Sequence, residues 1–184
     1  NRRAYEAAIY LASEDDSPIT DCIQFQKPAG QNKQGHIIIN TKSWCEALRP
    51  FFQPGNIYGG DDDETKPAYS EALNSNFTKI DDYCNEEMKN YLNGLVSVFQ
   101  DVDEKRWITG AKHHTTKQLF QNEGPFPVLM HVFPFVIKKI IREHDGILPR
   151  PISTKTFKTQ LSCLKNVDWK DKEVKSSLGG RTNT

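Results

Sequence analysis

No two cysteines in the chain stand at Cys-x-x-Cys spacing; the four present, Cys22, Cys45, Cys84 and Cys163, are scattered. Zinc sites and disulfide scaffolds both use clustered cysteines, so neither is indicated, and the thiols are expected to be reduced and mostly buried. No apolar run reaches the ~18 residues needed to cross a bilayer. The longest, PVLMHVFPFVI, is interrupted by His131 and Pro134. Motifs that mark activated nucleophiles are missing as well: there is no Gly-x-Ser-x-Gly and no glycine-rich phosphate loop. Net charge is zero and no internal repeat is visible. These gaps lean away from an enzyme and imply no cofactor.

What is present suits one folded domain. At 184 residues, 36% of them hydrophobic and 26% charged, the chain clears the composition that cannot fold. A chain of this size should bury roughly 70% of the surface its unfolded form exposes. It opens on Asn1 with neither an initiator Met nor an apolar leader, and is expected to be a piece of a longer, intracellular protein, nuclear or cytoplasmic. One Asn-Phe-Thr sequon, Asn76 to Thr78, is weak support for secretion because it falls at the start of a helical pattern.

Periodicity predicts mainly helix. RRAYEAAIYLASED spaces Tyr5, Ala8, Ile9 and Leu11 or Ala12 for a helix over 2–13, stopped by Ser17-Pro18. DCIQFQ and GHIIIN favour strands, and the loop chemistry between them reads as a β-hairpin with strands near 21–26 and 36–40. Ser43-Trp-Cys-Glu46 has the form of a capping box and predicts a helix over 43–52. The longest pattern runs from Tyr69 to Val102, with Cys84, Met88, Tyr91, Leu95 and Val98 on one stripe and a helix centred on 78–101. A segment apolar nearly all round gives a central buried helix over 127–144, kinked near Pro134, with His131 as a satisfied core histidine. A last helix is expected over 154–165. The fold class is therefore α+β, mainly α: about five helices with one small β-hairpin near the N-terminus. The globular domain spans 1–169, and 170–184 reads as a disordered tail.

The zero net charge conceals a division. Residues 1–104 carry nine Lys and Arg against eighteen Asp and Glu; residues 105–184 carry fifteen against six. The balance swings from −9 to +9 inside DVDEKRWITGAKHHTTKQLF. Either the basic half presents a face to an anion, or the halves lie together with their charges interleaved, which is the default for a globular domain. On the first reading Lys105, Arg106, Trp107, Lys112, His113, His114 and Lys117 form a basic and aromatic binding segment, joined by Lys138, Lys139 and Arg142. Lys and Arg would meet phosphates while Trp107 offers a stacking plane. On the other, Trp107 is a core anchor and the cations its solvated collar.

The acidic loop GGDDDE offers Asp61, Asp62, Asp63 and Glu64 as oxygen ligands, but it lacks calcium-loop spacing and reads first as a solvated tip; no metal is expected. Adjacent histidines on a helix point ~100° apart, so His113 and His114 seldom share one ion. The expected function is a non-enzymatic binding or regulatory module of a larger protein. It would contact an anionic partner, nucleic acid foremost or an acidic protein surface, or other domains of its parent. The alternative is a protein-interaction or oligomerisation domain using an apolar patch left by 126–137. A third reading is a metal-dependent enzyme built on 61–64.

Overall fold

A computed structural model describes residues 2–20, 23–24, 39–52, 77–102, 119, 126–145 and 150–171. Five α-helices lie among them: α1 (Arg2–Ser13), α2 (Thr41–Leu48), α3 (Phe77–Phe99), α4 (Phe126–Glu143) and α5 (Thr154–Leu161). Short 3-10 turns, Arg49–Phe52 and Ser162–Asn166, extend α2 and α5. The expected β-hairpin is overturned. Ile23–Gln24 and Ile39–Asn40 make a two-residue contact that runs parallel, Ile23 beside Ile39 and Gln24 beside Asn40. A hairpin needs antiparallel neighbours, and two residues a side do not build a sheet layer. With 76% of the described residues helical, the class is helical rather than α+β.

The first helix forms where the alanine-rich pattern places it and buries Ala4, Ala7, Ala8, Leu11 and Ala12 along one stripe. These small side chains let α1 settle against α2 and α3. It ends in local hydrogen bonds: the Ser13 hydroxyl donates to the Tyr10 carbonyl, and the Ser17 amide to Glu14. The second helix starts at Thr41, so Ser43 lies inside its first turn instead of capping it. Trp44 and Leu48 enter the core from α2, and Phe51 follows from the 3-10 turn.

The third helix organises the rest. Cys84, Met88, Tyr91, Leu92, Leu95 and Val98 are buried along it. The fifth helix packs against it so tightly that a Cβ placed on Gly94 would stand 3.0 Å from the Phe157 Cβ and 3.2 Å from the Lys158 backbone nitrogen. Ala at 94 would gain about 1 kcal/mol of helix propensity, but overpacking costs about 1–3 kcal/mol and a backbone atom cannot swing aside. Gly94→Ala is therefore expected to lower stability by up to about 2 kcal/mol in urea unfolding; a raised midpoint would show that the two helices can part freely.

The fourth helix meets the third through large side chains. Tyr91 donates its hydroxyl to the Leu129 carbonyl at 2.6 Å, and its ring lies 4.5 Å from that of Phe133. Phe51 and Phe157 complete an aromatic cluster around Phe133, at 5.2 and 6.0 Å. Helix α4 runs unbroken through Pro134. It is not buried all round: His131, Phe135, Lys139 and Arg142 are exposed, which corrects both the central buried helix and the core reading of His131. Asp145, in the left-handed region at φ 51°, follows its end.

Ser153 caps α5, its hydroxyl accepting from the Thr156 amide at 3.2 Å. The chain then returns to α3, where Trp169 packs on Phe99 with ring centroids 5.0 Å apart. Among the described residues no helix is long and apolar enough to cross a membrane.

Candidate functional site

Three ionic clusters and one helix face hold the chemistry of the described residues. In the first cluster, Lys89 is only 6% exposed and three carboxylates surround its ammonium: Glu86 at 2.9 Å, Asp16 at 3.0 Å and Glu14 at 3.8 Å. Tyr10 donates to the same Glu86 at 2.9 Å. Burial alone would lower the lysine, but hydrogen bonds to Glu86 and Asp16 outweigh it and hold the ammonium above its usual range. Burial, then the bond to Glu86, pushes the Tyr10 phenol up to about 12. Both groups therefore keep their protons at neutral pH.

The second cluster lies deeper. Glu87 is 0% exposed, and its carboxylate meets Arg150 at 2.6 Å while accepting the Ile152 amide at 3.2 Å. One helical turn on, Asn90 donates to the Ile152 carbonyl at 2.9 Å and accepts from the Thr154 hydroxyl at 3.0 Å. Together these two α3 side chains hold the segment that leads into α5. In the third cluster, Asp101 takes Lys165 at 2.9 Å and Lys158 at 3.8 Å. The Lys165 hydrogen bond leads in holding its carboxyl below the usual range.

These clusters bear on the charge division. Arg150, Lys158 and Lys165 belong to the basic half, and their partners Glu87 and Asp101 to the acidic half. To that extent the halves interleave. Among the described residues Lys89, Tyr10 and the buried Tyr91 hold their protons more tightly than usual, and burial raises the Cys45 thiol.

The remaining feature is the outer face of α4. At ~100° per residue, Phe133 and Phe135 point about 160° apart. Phe133 is fully buried and Phe135 is 74% exposed. Around Phe135 stand exposed His131, Lys139 and Arg142, with Val128, Val132 and Lys138 half-buried at the edges. Lys139 bridges to Glu143 at 3.6 Å.

Of the residues the sequence singled out, Lys138, Lys139 and Arg142 lie together on this one face. Lys105, Arg106, Trp107, Lys112, His113, His114 and Lys117 are outside the described residues, as are Asp61 to Glu64, Asn76 and the tail from Lys172. Among the described residues no group of three His, Cys, Asp or Glu could hold a metal ion. Sequence reading passed over Glu87 and Phe135. Glu87 carries its own signal, three residues after Cys84 and four before Tyr91, a carboxylate on an apolar stripe. Phe135 is the exposed large apolar residue on the outer stripe of α4.

Comparison with protein-family models, with curated proteins and with solved structures gives no match.

Proposed function

We propose that the domain is a protein-interaction module whose contact surface is the outer face of α4. The observation that carries the reading is Phe135, 74% exposed at the middle of a helix whose opposite side lies in the core. Solvent exposure of a large aromatic gains nothing for folding, whereas aromatic and Arg side chains dominate the energetics of protein interfaces. The interleaved pairs of Arg150, Lys158 and Lys165 weigh against a wholly basic second half that meets nucleic acid. One observation favours that second reading: Lys138, Lys139 and Arg142 continue the face beyond Phe135, and cations beside an exposed aromatic also suit a single strand.

The two separate in one experiment. A photo-cross-linking phenylalanine analogue is placed at position 135 of the full chain in cells, and in a control at exposed Lys155 on α5. The expected result is a discrete protein adduct at 135 that resists nuclease and does not form from 155. A nuclease-sensitive adduct would transfer the face to nucleic acid. Equal adducts from both positions would contradict the reading.

A further inference from the structure

The outer face of α4 has a polarity along its length as well as across it. Val128, Val132, Phe135, Lys139 and Arg142 succeed one another at intervals of four, three, four and three. That is the spacing of a coiled-coil seam, in which alternating steps keep one stripe facing a partner helix. The seam is ~21 Å long at 1.5 Å per residue. Its first three positions are apolar and its last two cationic. Resting on the protein-interaction reading above, we infer that this seam receives an amphipathic helix from another protein, apolar opposite Val128, Val132 and Phe135 and acidic opposite Lys139 and Arg142.

Charge selects this occupant over a second copy of the chain. Parallel self-pairing would set Lys139 against Lys139 and Arg142 against Arg142, a like-charge juxtaposition. Antiparallel self-pairing would bring Lys139 and Arg142 onto the valine end, leaving cations against apolar side chains. A foreign helix with carboxylates at one end complements the apolar and the cationic stretch at once. The exposed Lys139 to Glu143 bridge does not oppose this, because an exposed pair of that kind contributes little and its lysine can turn to a new carboxylate.

The probes are two designed helical peptides of about three heptads, identical in their apolar seam and ending in either Glu or Lys at the seam positions opposite Lys139 and Arg142. Fluorescence anisotropy measures each against the full chain. The Glu peptide is expected to bind about tenfold more tightly than the Lys peptide, with the gap closing at high salt. In the Lys139→Glu/Arg142→Glu variant the preference should invert. Equal binding of both peptides, abolished by Phe135→Ala, overturns the acidic-helix assignment and leaves the α4 surface standing as a protein contact. Failure of both peptides to bind, while the nuclease-resistant adduct at 135 persists, overturns the assignment in the same way. Binding of both that is indifferent to Phe135→Ala overturns the assignment and the underlying reading together.

Discussion

Glu87→Ala is expected to cost about 3–5 kcal/mol of folding stability, because removing one partner of a buried ion pair leaves the other charge uncompensated. The Arg150 side chain is 7% exposed and Glu87 fully buried, so water cannot take over as partner. The same carboxylate also accepts the Ile152 amide, and its loss would leave that donor to find another acceptor. The damage should spread to α5, which begins at Thr154 beside the Asn90 contacts. Urea unfolding with an unchanged slope is the measurement. A Glu87→Leu/Arg150→Met double variant should recover much of the loss, since an apolar pair of similar volume carries no desolvation penalty. A Glu87→Ala cost below about 0.5 kcal/mol would mean that the pair is not closed in solution.

The second large effect sets two neighbouring phenylalanines apart. Phe133→Ala should cost about 3–5 kcal/mol, because its ring fills the space between Phe51, Tyr91 and Phe157 and the helices around it can collapse only in part. Phe135→Ala, two residues on, should stay within about 0.5 kcal/mol of the parent. The contrast tests the rotational setting of α4 directly. Equal losses would require the helix to bury both sides, and the account of its outer face would fall.

How much of this was legible depends on whether the signal is local. Helix α1 has both its ends where the spacing of Tyr5, Ala8, Ile9 and Leu11 or Ala12 places them, but its buried stripe is Ala4, Ala7, Ala8, Leu11 and Ala12, and Tyr5 and Ile9 are exposed. The Ser43 to Glu46 capping pattern is equally local but was outcompeted, since the helix begins two residues earlier at Thr41. The β-favouring composition around Ile23 and Ile39 did mark residues that pair. Its direction could not be read, because strand direction is set by how the intervening chain crosses and not by residues at either end. Nor could any local pattern join Glu87 to Arg150, which are 63 residues apart. The count of charges located the sign change at Lys105, yet only the fold shows that Arg150, Lys158 and Lys165 are engaged with the acidic half. The letters of α4 read as a central helix apolar nearly all round, with Lys138, Lys139 and Arg142 on a polar side at its end. Taken instead at ~100° per residue, the same letters set Phe135 among His131, Lys139 and Arg142 and away from the core.

Fluorine NMR would test the central claim, that the outer face of α4 is the contact surface. Para-fluorophenylalanine is placed singly at position 135 and at position 133 of the full chain, and each sample is titrated with the Glu-ended peptide. A saturable shift of the resonance at 135 is expected, with none at 133, which stays in the core. A saturable shift at 133 with none at 135, or a peptide that binds by anisotropy yet moves neither resonance, would contradict it.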